Sequence, residues 1–244
     1  MKTLEWGSLQ EFKRYLLKNE GVKTRNNSSH NKDKSWTGTA SFEDAVELLT
    51  TGDKDIMEGI KSATKKELKH RQAIIRTYLP DVEGMFFDVA KVLTGEPEAW
   101  YKMHSNEEGT PIINIELGVG MLSGVSAQRI IDNAGVLLAR VKELEMAGIQ
   151  VGIIAVAVAS DVDNKGTGTT HKVTIKHYDS PINYRAISAV AHPSFHRRLL
   201  FRSRELMFPN KNIKGYGRTV DQRINLHTRR SIQSIGIEYI GEAK

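Results

Sequence analysis

Residues 111–161 read PIINIELGVGMLSGVSAQRIIDNAGVLLARVKELEMAGIQVGIIAVAVASD, and this stretch decides the fold. It opens with a short apolar run, 112–117, and closes with a second one, 151–159, that is rich in β-branched residues. Such runs are typical of strands covered on both faces of a sheet. Between them, apolar residues from Ala127 to Leu144 recur at helical spacing, and Gly148 stands where a left-handed residue commonly ends a helix. The pattern predicts a strand, a crossover helix and a parallel strand, which together form a right-handed βαβ unit.

The flanking sequence extends this unit into a larger α/β fold. Residues 172–178 and 234–240 alternate between apolar and polar side chains and predict two further strands. Upstream, Ser41 and Asp44 are spaced as in a capping box, and a long helix is predicted from 53 to about 78. We therefore expect an α/β protein with a mostly parallel, Rossmann-like sheet flanked by helices and preceded by a helical N-terminal region. The predicted regions are 1–35, an N-terminal helix and flexible linker; 36–105, a helical region; and 106–244, the α/β core domain with a basic C-terminal segment.

Composition narrows the class of protein. The chain has 244 residues, a net charge of +6, 39% hydrophobic and 26% charged residues, and no cysteine. These values are ordinary for a soluble globular protein, and the absence of cysteine excludes disulfides, cysteine-ligated metals and a cysteine nucleophile. No apolar run approaches the roughly 20 residues that cross a bilayer, and the N-terminus has no apolar signal core. We expect a cytoplasmic protein with no membrane contact and no cofactor, because no cofactor fingerprint or nucleophile elbow occurs.

Positive charge is concentrated near the C-terminus. Between His192 and Arg230, ten basic residues face only Glu205 and Asp221, so this segment exceeds the whole chain in net positive charge. Arginine predominates, which suits bidentate phosphate contacts, and aromatic residues that could stack on bases are interspersed. The segment predicts a surface that binds nucleic acid; arginines that serve a protein partner or internal ion pairs are the alternatives. The predicted contacts are Arg197, Arg198, Arg202, Arg204, Lys211, Lys214, Arg218, Arg223, Arg229 and Arg230.

The loop after the first apolar run carries a family resemblance. Glu116-Leu117-Gly118-Val119-Gly120, followed by Ser123-Gly124 and an amphipathic helix, resembles the opening of a von Willebrand factor A-type domain. That family usually has Asp-x-Ser-x-Ser here and holds a divalent metal through those side chains. In this chain a glutamate and two glycines occupy the three positions, so the resemblance implies a von Willebrand A-like fold with a degenerate metal site. Any Rossmann-like βαβ unit with a glycine-rich loop is the alternative interpretation.

The same loop could bind an anion. Gly118, Gly120, Ser123 and Gly124 precede a predicted helix N-terminus, where free backbone N–H groups attract negative charge. The spacing departs from the dinucleotide-binding pattern, and no Walker motif is present.

Acidic and histidine side chains supply an alternative metal site. Asp161 and Asp163 resemble the start of an EF-hand loop, but lysines stand at its fifth and twelfth positions. Both aspartates follow a predicted strand, and ligands of open α/β sheets bind at the carboxyl ends of strands. His192 and His196 are four residues apart at a predicted helix start. We expect no metal; the alternative ligand set is Glu116, Asp161, Asp163, His192 and His196.

A second resemblance spans much of the chain. The segments 36–39 (WTGT), 95–100 (GEPEAW) and 192–198 (HPSFHRR) resemble an uncharacterised protein family of tailed bacteriophages. That resemblance implies a phage product in the host cytoplasm and transfers no functional residue. The sequence therefore predicts a non-enzymatic phage protein that binds nucleic acid or another phage or host component. The alternatives are a metal-dependent phosphodiester hydrolase and a structural or assembly protein of the virion.

Overall fold

The helices and strands come from a computed structural model, which describes residues 2–75, 86–87, 100–101, 112–119, 127–159 and 168–213. Seven helices in these ranges are labelled α1 to α7, and a short 3₁₀ turn lies between the first two. The helices are α1 (Leu9–Lys18), α2 (Lys34–Thr37), α3 (Phe42–Thr51), α4 (Lys54–Ile75), α5 (Ala127–Met146), α6 (Tyr184–Ala191), the π-helix Phe195–Leu200 and α7 (Phe201–Met207), and the 3₁₀ turn is Ser28–His30. The strands are β1 (Lys2–Trp6), β2 (Phe86–Phe87), β3 (Trp100–Tyr101), β4 (Ile112–Gly118), β5 (Gln150–Ala159) and β6 (Thr169–Lys176).

The predicted βαβ unit is confirmed in its elements and strand direction. Strands β4 and β5 pair in parallel, with Ile113 opposite Val151, and α5 connects them. Gly148 adopts a φ of 80° just after α5 and ends the helix as predicted. The unit forms because β4 and β5 each have an apolar face, and the apolar stripe of α5 packs in the same buried cluster as those faces.

The four-stranded sheet is mostly parallel, as predicted, but it contains one antiparallel pair and is therefore mixed. Its strand order is β1-β6-β5-β4; the outer pairs are parallel, whereas β5 and β6 are antiparallel. The physical reason is the length of the connection: only residues 160–168 separate β5 from β6, whereas a crossover to a parallel neighbour needs about a dozen or more residues. A separate two-stranded antiparallel pair joins β2 to β3.

Strand β1 was not predicted, and it places the start of the chain in the central sheet. Lys2 lies opposite Thr169 and Trp6 opposite Val173 in the parallel pairing with β6. The first predicted region therefore contributes a strand to the same sheet as the third. The region boundaries near residues 35 and 105 stay predictions, and the predicted strand 234–240 lies outside the described residues.

The helices pack into one buried cluster with the sheet. Ser41 and Asp44 form the predicted capping box at α3, which fixes where that helix begins.

Helices α4 and α5 approach each other very closely at Gly135, where an added Cβ atom would lie 2.4 Å from the Ala63 Cβ. Within the described parts of the chain, no helix has the length and apolar character needed to cross a membrane.

Candidate nucleic-acid interface

Residues 184–207 form a largely buried helical segment, interrupted by extended backbone at His192, which we term the rod. Asn183 caps its first helix by accepting from the N–H groups of Arg185 and Ala186. A π-helix then joins α6 to α7, and such wider turns often occur at functional sites. Most side chains from Ala186 to Glu205 are buried on every side of the rod. Arg198, Arg202, Arg204 and Glu205 are therefore inside the protein, where a charged side chain needs a polar partner.

Arg198 is an internal residue, which corrects its predicted place on a nucleic-acid surface. Its side chain is 1% exposed, and its guanidinium donates hydrogen bonds to an N-terminal segment far away in sequence. Nε donates to the Thr39 hydroxyl at 2.8 Å, and Nη1 to the Ser29 carbonyl at 3.1 Å. Nη2 donates to the Thr37 hydroxyl and to the carbonyls of Thr39 and Ala40. Arg198 thus holds residues 29–40 against the rod.

Arg202 and Arg204 are also buried, at 3% and 1% exposure, and are likewise corrected. Arg202 bonds the loop after α1, and its Nη1 lies 3.8 Å from a carboxylate oxygen of Glu205. Glu205 in turn accepts from the backbone N–H and the hydroxyl of Ser29, at 3.1 and 2.6 Å. Arg202, Glu205 and Ser29 thus form an internal polar cluster, which is the kind of arrangement that the internal ion-pair alternative predicted for the arginines.

Arg197 is the half-buried member of the predicted set. Its guanidinium lies over the Trp36 ring, 5.2 Å from the centroid, and donates to the Trp36 carbonyl. The Arg197 side chain therefore binds α2 through a cation–π contact and a hydrogen bond.

Three buried histidines, two in the rod and one on the adjacent strand β6, have lowered pKa values and are therefore neutral at pH 7. Burial lowers the pKa of His171 to about 3 and that of His196 to about 4, with further lowering by the nearby Arg204. Burial also lowers the pKa of His192, against the opposing charge of Asp53. His171 stacks on Trp6, and its Nε2 has no hydrogen-bond partner among the described residues.

The alternative metal set does not come together in the described part of the chain. Glu116 forms an ion pair with Lys172 at 3.0 Å, and His192 bonds the Ser194 hydroxyl at 2.7 Å. His192 and His196 both line a small cavity beside Val119, just after β4. In the described ranges, no three histidine or acidic side chains are grouped as metal ligands. Asp161 and Asp163 lie outside those ranges, as do Gly120, Ser123 and Gly124 of the predicted anion loop; Gly118 ends β4.

A different set of basic residues meets on the surface. The ammonium groups of Lys2 and Lys211 both lie over the Phe208 ring, 5.3 and 5.4 Å from its centroid. Beside them, the N–H of Arg25 donates to the Pro209 carbonyl at 2.7 Å. The Asn26 side chain bonds the backbone of Lys211 and Ile213 on the same stretch. These contacts bring together Lys2, Lys211 and the backbone of Arg25, and Lys23 is exposed two residues before Arg25 in the same loop. We term these four exposed cations the basic patch: Lys2, Lys23, Arg25 and Lys211.

Only Lys211 of the basic patch was predicted as a contact. The other three members lie in segments where single cations are interspersed with polar residues, and no local charge cluster indicates a site. The pairing of residues 24–26 with 209–213 joins distant parts of the chain, so the sequence held no direct signal for it. The predicted contacts Lys214, Arg218, Arg223, Arg229 and Arg230 follow this stretch in sequence and lie outside the described residues.

Fold and site together define an α/β protein with a mixed four-stranded sheet, a buried arginine-bearing helical rod and an exposed basic patch. The chain belongs to the family described as Domain of unknown function (DUF7192), whose model matches residues 3–243. No curated protein and no solved structure matches the chain. The von Willebrand A-like and tailed-phage resemblances stay predictions.

Proposed function

We propose that this protein binds nucleic acid without acting on it, and that the basic patch makes the phosphate contacts. The observation that carries the proposal is the convergence of Lys2 and Lys211 on one ring, beside Lys23 and Arg25. The two ammonium groups cannot lie much farther apart than one Debye length, about 10 Å at 0.1 M salt, so their potentials reinforce each other.

The position of the patch also supports the proposal. In the sequence, Lys211 stands just before the remaining predicted basic residues, which fall between positions 214 and 230. Glu20 in the neighbouring loop reduces the local charge by one and leaves the excess positive. Binding by such a surface is sequence-independent, because phosphate contacts position a nucleic acid and do not read its bases.

The test is fluorescence anisotropy with short single- and double-stranded oligonucleotides over a salt series. Binding should weaken linearly on logarithmic axes, because each neutralised phosphate releases counterions. The double variant Lys2→Gln, Lys211→Gln keeps most of the stem over Phe208 and removes both charges. It should flatten the slope by up to about two, since each phosphate contributes about 0.7–0.9.

The matched control is the double variant Lys65→Gln, Lys66→Gln, which removes two exposed lysines of α4. Its salt slope should equal that of the wild type. If the wild type binds neither oligonucleotide at low salt, the proposal fails. If both double variants flatten the slope equally, the patch is not the site.

We also propose that the protein is phage-encoded and acts in the cytoplasm of the host cell. A virion structural role and a phosphodiester hydrolase activity remain the alternatives predicted from the sequence.

A further inference from the structure

The loop that carries two members of the basic patch is fastened by a single buried side chain. Arg202 Nη2 donates to the carbonyls of Asn19, Glu20 and Val22 at 3.1, 3.2 and 2.7 Å. Its Nη1 donates to the Thr24 hydroxyl at 3.1 Å. One guanidinium therefore bonds four successive parts of the loop that presents Lys23 and Arg25.

This arrangement suits arginine in particular. The loop follows the C-terminus of α1, where backbone carbonyls lack helical partners and carry the negative end of the helix dipole. A planar fork with several N–H donors can satisfy these carbonyls together, whereas an ammonium group offers one compact donor centre. Glu205 lies near the guanidinium and balances its charge, so Arg202 is compensated inside the fold.

The loop has a second anchor on its other side. The Thr24 hydroxyl donates a hydrogen bond to the Asn26 carbonyl at 2.7 Å, and the Arg25 backbone N–H donates to the Pro209 carbonyl. Lys23 and Arg25 thus sit between a buried clamp and the stretch that holds Lys211. A surface ordered before binding loses less conformational freedom when a ligand arrives.

We infer that Arg202 is a positioning residue for nucleic-acid binding: it fixes residues 19–25 so that Lys23 and Arg25 meet phosphates, and it touches no phosphate itself. The inference rests on the proposed function. It replaces the direct contact that the sequence predicted for Arg202 with an indirect role.

The test separates affinity from the number of phosphates contacted. Arg202→Lys keeps the charge and loses the fork, so binding should weaken about threefold to tenfold through lost preorganisation. The salt slope should stay at the wild-type value, because the same phosphates are neutralised. The contact variant Lys23→Gln should instead flatten the slope by about 0.7–0.9. Trypsin, which cleaves after lysine and arginine, should cut at Lys23 and Arg25 faster in Arg202→Lys.

A milder variant covers the case in which Arg202→Lys does not fold. Thr24→Val removes one acceptor of the clamp and leaves Arg202 in place, and it should weaken binding in the same direction with the slope unchanged. If Arg202→Lys folds and binds with wild-type affinity, the inference is overturned. If only Thr24→Val folds, wild-type affinity of that variant overturns it in the same way. A salt slope flatter than that of the wild type, in whichever variant is tested, would also overturn it. If the wild type itself does not bind, the proposed function fails, and the trypsin result still reports whether Arg202 holds the loop.

Discussion

Acid should destabilise this protein through two buried histidines. His171 and His196 have folded-state pKa values of about 3 and about 4, below the ordinary value of 6.5. The unfolded chain therefore binds more protons than the folded one as the pH falls below about 6.5. Stability is fully present above that value and is lost as the pH falls toward the folded-state pKa values.

The loss of stability at pH 5 depends little on the folded-state pKa values, because both histidines stay largely neutral in the folded protein at that pH. In the unfolded chain at pH 5, the protonated form of each histidine outnumbers the neutral form about 30-fold. This protonation stabilises the unfolded state, so each histidine lowers the free energy of unfolding by about 2 kcal/mol between pH 7 and pH 5. The two together should lower the free energy of unfolding by about 4 kcal/mol. That is a large share of the roughly 5–15 kcal/mol typical of a domain.

Urea denaturation at pH 7 and pH 5, followed by circular dichroism, measures this loss. His171→Gln and His196→Gln should each reduce the difference between the two pH values by about 2 kcal/mol. Met146, an exposed residue of α5 without a titratable group, provides the control, and Met146→Gln should leave the difference unchanged. If both buried-site variants keep the full wild-type loss, neutral burial of these imidazoles is not its cause.

Three further predictions concern packing and can be measured by urea denaturation at pH 7. Leu138→Ala removes a fully buried side chain of α5 and should cost about 2–5 kcal/mol, whereas Met146→Ala, at an exposed position of the same helix, should cost far less. Gly135→Ala should destabilise by about 1–3 kcal/mol, because its Cβ would collide with Ala63; equal stability would refute the close approach of α4 and α5. Arg198→Met should cost about 1–3 kcal/mol or more by leaving buried oxygens without donors, and an unchanged midpoint would show that the segment it holds is not fastened there.

The βαβ unit was predictable because its signals are local. Two apolar runs and one periodic helix each carry their pattern within consecutive residues, and Gly148 marks the helix end. The capping box at Ser41 and Asp44 was readable for the same reason. Local patterns of this kind specify an element without reference to the rest of the chain.

Strand β1 and the direction of β6 depend on pairing between distant segments. The run Lys2–Trp6 is short and mostly exposed, and only its register with β6 makes it a strand. Residues 169–176 alternate as predicted, but alternation does not tell whether a strand runs parallel or antiparallel to its neighbour.

The buried arginines were missed because charge composition does not report burial. A signal was present in the rod: Phe195, Leu200 and Phe201 stand on different sides of the same helical stretch, so this stretch has no broad polar face. A helix apolar on all sides is usually buried, and its charges then need internal partners. The basic patch had no comparable signal, since its members come from three separate segments.

The pairing of β1 with β6 has a consequence for synthesis on the ribosome. Lys2–Trp6 is made first, but its partner Thr169–Val173 emerges only after most of the chain has been translated. At about 5–20 residues per second, the first strand waits roughly ten seconds or more before its edge can be paired. Nascent chains arrested before Thr169 should therefore leave the N-terminal residues open to protease, and chains arrested well beyond Val173 should protect them. Among the described strands, β1 is thus the earliest in sequence, and it cannot join the sheet until β6 has been made.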